Sequence, residues 1–274
     1  MTRGHRPLPT DLPDTLRSGV PIGLLILAAA VPPARLFVLA GLVAGFAVAL
    51  GRGAPVRWTW AAPIPVAISL CWGLLPAPTA DPLGGDCTDP GSPPAVWRLA
   101  EAVLALAAIA ALAYVLRARG GDLGLHWPAR PVVRLAVAGA VILGPLGLVL
   151  GALLARPFFG DFDLDLSRPG FIVPALVFAI ANGVMEELSY RGALLGWTSR
   201  VTGTWLALVG QAVVFGIAHG GADVGGSPIL LMVALGVGGF LAGVIALRTR
   251  SLLVPIAWHV ALDLPLYAYL ACRE

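Results

Sequence analysis

The chain has 274 residues, 58% of them hydrophobic and 12% charged, with 34 glycines besides. A soluble protein is charged at about 25% of positions, and a water-soluble globule of this length needs far more polar surface. Soluble, disordered and nucleic-acid-binding proteins are thereby excluded; the net charge of +3, carried by 18 arginines against 15 acidic residues, is spread over connecting segments.

What remains is an all-α, polytopic transmembrane helix bundle. At about 20 residues per spanning helix, the chain holds eight or nine membrane segments and no separate soluble domain. Apolar runs predict helices near 19–31, 34–50, 59–76, 95–117, 132–155, 171–197, 204–220, 229–247 and 252–270. The first two are short and joined by Val31-Pro32-Pro33, as a hairpin or one broken element. Residues 19–31 read as a span rather than a signal-peptide core, because the region before them carries Asp11 and Asp14. The proline-rich stretch 76–94 is a turn-rich connector. Neither a solenoid period nor an inverted repeat is visible.

Charge asymmetry orients the spans. Arg117, Arg119, Arg130 and Arg134 crowd one loop, Arg191 and Arg200 another, and Arg248 and Arg250 a third. The intervening loops are acidic, with Asp81, Asp86 and Asp89, then Asp161, Asp163 and Asp165, then Asp223. Arginine-rich loops face the cytoplasm, so nine segments place the N-terminus inside, with Arg3, Arg6, Arg17, Arg52 and Arg57, and the C-terminus outside, in the cell membrane. Cys87 and Cys272 then fall on the same outer side, which allows a disulfide, although two unrelated thiols are the plainer expectation. Cys71 sits in an apolar run, where packing accounts for it.

Ionisable groups inside apolar spans are costly and are functional candidates by default. Three patches in the last third of the chain carry them. In the first, Asn182 to Arg191, residues four apart share a helical face. Asn182 is therefore expected over Glu186, and Glu187 over Arg191. Arg191 neutralises Glu187, which leaves Glu186 facing a polar cavity. The alternative is a helix-end ion pair at the interface. The second patch ends a span at His219, four residues after Phe215. The third pairs His259 with Asp263 one turn apart, where Asp263 either orients the imidazole or points with it at a common ligand. A simple intrahelical hydrogen bond is the blander possibility there.

Two histidines and a carboxylate from three helices can bind one divalent metal ion such as zinc in an open site. They can equally activate water directly, with the glutamate as base and the imidazoles stabilising an oxyanion. Depth speaks against convergence. At 1.5 Å per residue, Glu186 lies about 22 Å from the outer end of its span and His219 about 22 Å from the inner end of its own, on opposite sides of the midplane. The gap closes if the membrane part of the sixth helix begins nearer Val177.

The order E-E-x-x-x-R (Glu186, Glu187, Arg191), F-x-x-x-H (Phe215, His219) and H-x-x-x-D (His259, Asp263) resembles the CPBP intramembrane proteases, which include the type II CAAX prenyl endopeptidases and bacteriocin-processing proteins. The glycine-rich run Gly236 to Gly243 is similar to the small-residue helix of that family, and Gly239 and Gly243 allow close helix approach. The likeness covers about 171–270, dividing the chain into a membrane-spanning region 1–165 of unassigned role and a protease-like region 166–274. The resemblance implies Glu186 as water-activating base, His219 and His259 as essential histidines, and Glu187 with Arg191 as supporting pair. Asp263 stands where many members have asparagine. The family is labelled as metalloproteases, although a metal-free glutamate mechanism has also been advanced. The implied activity is intramembrane hydrolysis of a peptide or membrane-protein substrate, with the lipid bilayer as the other partner and no nucleic acid. A proton-coupled transporter and a non-catalytic immunity or scaffold protein are the rival readings.

Overall fold

The computed structural model describes residues 12–75, 93–126, 128–159, 169–220 and 227–271, and every element among them is a helix. Cys87 and Cys272, the acidic loops 81–89, 161–165 and 223, and the basic tail before residue 12 lie outside the described residues.

The helices in chain order are α1 (Leu12–Ala30), α2 (Arg35–Ala49), α3 (Ala54–Ala61), α4 (Ile64–Trp72), α5 (Pro93–Leu116), α6 (Arg130–Phe159), α7 (Ile172–Glu186), a π-helical stretch (Glu187–Leu195), α8 (Gly196–Thr202), α9 (Thr204–Ala218), α10 (Pro228–Thr249) and α11 (Leu253–Ala271). Among the described residues, five helical stretches are long and apolar enough to cross a membrane: Pro32–Ala49, Pro94–Leu116, Arg130–Gly147, Ile172–Thr202 and Pro228–Thr249. Three shorter apolar helices, Gly19–Ala30, Thr204–Ala218 and Leu253–Tyr267, join them. The bundle turns apolar side chains outward as well as inward; Phe37, Val141 and Val237 are all more than half exposed, as a lipid solvent requires.

The third expected span is divided. Pro63 has no N–H and its ring crowds the preceding turn, so the run 59–76 is split between α3 and α4 at Ala62-Pro63. The first two segments are separate helices joined by a single 3₁₀ turn, Pro32–Ala34. Arg35 ties this turn down by donating to the carbonyls of Ala28 at 3.2 Å and Leu70 at 3.1 Å.

The arginine-bearing loops expected on one side do meet at one end of the bundle. Arg200 pairs with Asp122, its guanidinium lies over Trp58, and the Leu252 N–H donates to the Gly124 carbonyl at 3.2 Å.

Glycines set how closely the helices approach. A Cβ on Gly239 would come within 3.0 Å of the Phe215 ring, and one on Gly243 would meet Leu208 and Gln211 on α9. The close approach expected of these two glycines therefore joins α10 to α9. On the other side of the bundle, Gly139 of α6 lies under the Trp258 indole, whose N–H donates to the Leu135 carbonyl at 3.2 Å.

Candidate active site

α7 carries Asn182 and Glu186 and runs directly into the π-helical stretch, which carries Glu187 and Arg191. A single α-helix was the expectation over 171–197. Instead the helix widens after Glu186, a departure that often accompanies functional sites. The widened stretch is surrounded on all sides: Glu187, Ser189, Tyr190, Arg191, Gly192, Ala193, Leu194 and Leu195 are all buried. The loop after α5 lies against it, with the carbonyls of Leu123 and Asp122 facing Gly192 and Gly196.

Glu186 and His219 meet, despite the depth expected from sequence. Their helices are joined through one turn, at Gly203, where φ is +84°. Glu186 lies seventeen residues before it and His219 sixteen after it, nearly equal runs of helix on either side. The two chains run antiparallel from that turn, so the side chains arrive at one level.

Glu187 and Arg191 form a buried ion pair at 2.7 Å, with side chains 1% and 2% exposed. Arg191 is thus not an interfacial helix-end residue. Its guanidinium stacks 4.4 Å above the Phe215 ring and donates to the Gly239 carbonyl at 3.4 Å. Gln211, fully buried on α9, donates to the same carbonyl at 2.9 Å.

The two histidines are held alike. His219 Nδ1 lies 2.7 Å from the Phe215 carbonyl, and His259 Nδ1 lies 2.8 Å from Glu187 Oε1. A carbonyl or a carboxylate only accepts, so both Nδ1 atoms carry hydrogen and donate. Each ring therefore turns Nε2 inward, towards the same carboxylate: His219 Nε2 stands 3.8 Å from Glu186 Oε1 and His259 Nε2 3.7 Å from Glu186 Oε2. These separations are too long for hydrogen bonds. Glu186 Oε2 is buried and has no hydrogen-bond partner.

Asp263 does not orient His259 through the ring N–H, because Glu187 already accepts that hydrogen. Asp263 Oδ2 lies 3.5 Å from His259 Nε2 and accepts from Asn182 Nδ2 at 2.9 Å. Asn182 thus shares a face with Glu186 but reaches across to α11. Gly183 makes the crossing close, since a Cβ there would stand 2.9 Å from Val260 Cγ2.

Sequence reasoning passed over Arg98 and Glu101. They pair at 2.7 Å on α5, with Glu101 only 8% exposed in its side chain, and Arg98 lies over Phe178 of α7. Ala102 and Ala105 beside them pack against Ala181 and Met185 of α7. The signal was present, since both are ionisable groups in an apolar run.

A metal ion would need donors at about 2.0–2.2 Å from one point. Among the described residues no three His, Cys, Asp or Glu side chains are so grouped, and the histidines face different oxygens of Glu186.

Residues 168–265 match the family model described as Type II CAAX prenyl endopeptidase Rce1-like, which bears out the resemblance drawn from the three motifs. Comparisons with curated proteins and with solved structures give no match. The family match supports a likeness to CAAX-type intramembrane proteases over this region, and the apolar helices support an integral, multi-pass membrane protein.

Proposed function

We propose that the chain is an intramembrane endopeptidase in which Glu186 activates a water molecule and His219 and His259 assist. The observation that carries this reading is the presentation of two Nε2 atoms to opposite oxygens of one buried carboxylate, at 3.8 and 3.7 Å, with each Nδ1 anchored elsewhere. The spacing leaves room for reacting atoms among the three side chains.

Glu186 removes a proton from water as the oxygen attacks the peptide carbonyl carbon. The carbonyl oxygen gains the electron pair and becomes an oxyanion beside the two imidazole Nε2 atoms, either of which stabilises it when it carries hydrogen. The C–N bond then breaks, its electron pair stays on nitrogen, and the proton held by Glu186 passes to the leaving amine. General-base catalysis contributes about 10²–10⁴-fold, and each oxyanion donor about 10²–10³-fold. Glu187 and Arg191 support the site by holding His259 and the π-helical stretch in register.

The test compares protein termini in membranes of cells that express wild type or Glu186→Gln at equal abundance. New termini that appear only with wild type, and are lost in His219→Ala and His259→Ala, support proteolysis and name the substrate. Identical termini in all four samples would overturn the reading and leave a transporter or a scaffold.

A further inference from the structure

The side-chain carbonyl of Asn182 is buried and has no hydrogen-bond partner, and the same holds for Glu186 Oε2. Both residues are more than nine-tenths buried, at 6% and 8% exposure. They sit four residues apart on α7, where Cβ atoms are about 5–6 Å apart. Two unsatisfied acceptors one helical turn apart in a dry interior are unfavourable unless a donor reaches them. The Asn182 amide cannot turn freely to relieve this, because its Nδ2 donates to Asp263 Oδ2 at 2.9 Å. Asp263 Oδ2 in turn stands 3.5 Å from His259 Nε2, and that nitrogen 3.7 Å from Glu186 Oε2. Asn182, Asp263, His259 and Glu186 thus stand in succession, and both free oxygens belong to the two residues on α7.

We infer that Asn182 is a further catalytic residue, whose carbonyl and the Glu186 carboxylate together hold the hydrolytic water. A water has two hydrogens and can donate one to each acceptor, at about 2.7–2.8 Å, across the separation that residues one helical turn apart provide. Its lone pairs are then free for the substrate carbonyl carbon. The hydrogen on the Glu186 side is the one transferred when the oxygen attacks; the hydrogen on the Asn182 side stays with the new carboxylic acid. Asp263, by accepting from Nδ2, fixes which way the amide faces and so which of its atoms meets the water.

This inference rests on the proteolytic reading, and its test keeps the two apart. The probe is a synthetic peptide spanning the cleavage point named by the termini comparison, presented to the full-length chain in lipid nanodiscs. Asn182→Ala is expected to lower kcat about 10²-fold with KM within about twofold, the size of a lost transition-state contact. Asn182→Gln keeps the amide but displaces it by one methylene, and a misplacement of about 1 Å costs about 10²-fold, so it should fall similarly. A residue that only props Asp263 would add nothing once Asp263 is gone. We therefore expect Asn182→Ala to lower kcat at least about tenfold further in an Asp263→Ala background, a non-zero increment that a double-mutant cycle reads directly. An Asn182→Ala enzyme within threefold of wild type, or no further loss in the Asp263→Ala background, overturns the inference. If Asn182→Ala does not accumulate as folded protein, wild-type kcat in Asn182→Gln overturns it alone. Absence of cleavage by wild type would instead overturn the proteolytic reading itself.

Discussion

Oε1 of Glu187 accepts hydrogen bonds from His259 Nδ1 at 2.8 Å and from Arg191 Nη1 at 2.7 Å. One carboxylate oxygen on the π-helical stretch thereby fixes a histidine on α11 and neutralises a guanidinium one turn along its own helix. The His259 ring cannot flip without giving up its hydrogen bond to Glu187 in the interior. Its Nε2 is consequently held towards Glu186 by a pair of residues that never reach the reacting atoms.

Glu187→Gln should separate this orienting role from the pair's effect on stability. The amide oxygen can still accept from His259, but Arg191 loses its counter-charge in a site where its side chain is 2% exposed. Breaking a buried pair by removing one partner costs about 3–5 kcal/mol. We expect a marked fall in the unfolding temperature, measured by intrinsic fluorescence in nanodiscs. Glu187→Met with Arg191→Met should recover much of that stability yet hydrolyse poorly, because His259 Nδ1 then has no acceptor. Full activity in the double variant would show that the ring needs no orienting partner.

The Arg98–Glu101 pair joins the region before residue 165 to the site through α7. Its carboxylate is buried, so Arg98→Ala should destabilise the fold by about 3 kcal/mol. Replacing both residues, as Arg98→Met with Glu101→Leu, should restore most of the loss. An Arg98→Ala protein that unfolds at the wild-type temperature would show that the pair carries no structural weight.

Asp122 and Arg200 offer the opposite case. Their side chains are 21% and 44% exposed, and exposed pairs contribute about 0–1 kcal/mol. Asp122→Ala should shift the unfolding temperature little, and it should shift less still as salt is raised. A shift as large as that of Glu187→Gln would mean that the loop after α5 is a structural clamp on the π-helical stretch.

What the sequence makes legible here is whatever depends on spacing along one helix. The Glu187–Arg191 pair follows from a four-residue interval, and the three polar patches stand out because apolar spans tolerate few charges. The arginine loops predict a common end, and Arg200, Asp122 and Trp58 meet there. Relations between helices are less accessible. That Asn182 reaches Asp263 rather than sitting idle over Glu186 depends on how α7 is rotated against α11. That Glu187 rather than Asp263 holds His259 depends on the same rotation. The widened turn after Glu186 leaves no local mark, since the surrounding bundle rather than the sequence of the stretch accommodates its larger cross-section. The level of His219 is set by the shared turn at Gly203, from which two antiparallel helices of nearly equal length return, and the ends of the two apolar runs do not reveal it.

Gly183 tests whether that rotation matters to chemistry. It bears no functional group, yet a Cβ on it would stand 2.9 Å from Val260 Cγ2, 3.3 Å from the Val260 backbone nitrogen and 3.5 Å from His259 Cβ. The backbone contact cannot be relieved by a side-chain rotation, so Gly183→Val must push α11 away from α7. His259 would then withdraw from Glu187 and Glu186 together, and Asp263 from Asn182. Displacement of about 1 Å is enough to cost about 10²-fold in rate, so Gly183→Val should abolish most hydrolysis while the polar residues remain intact. Gly23→Val provides the control, because a Cβ at Gly23 meets nothing within 4 Å. It should cleave at the wild-type rate. Equal activity in the two variants would mean that the α7–α11 contact does not set the position of His259.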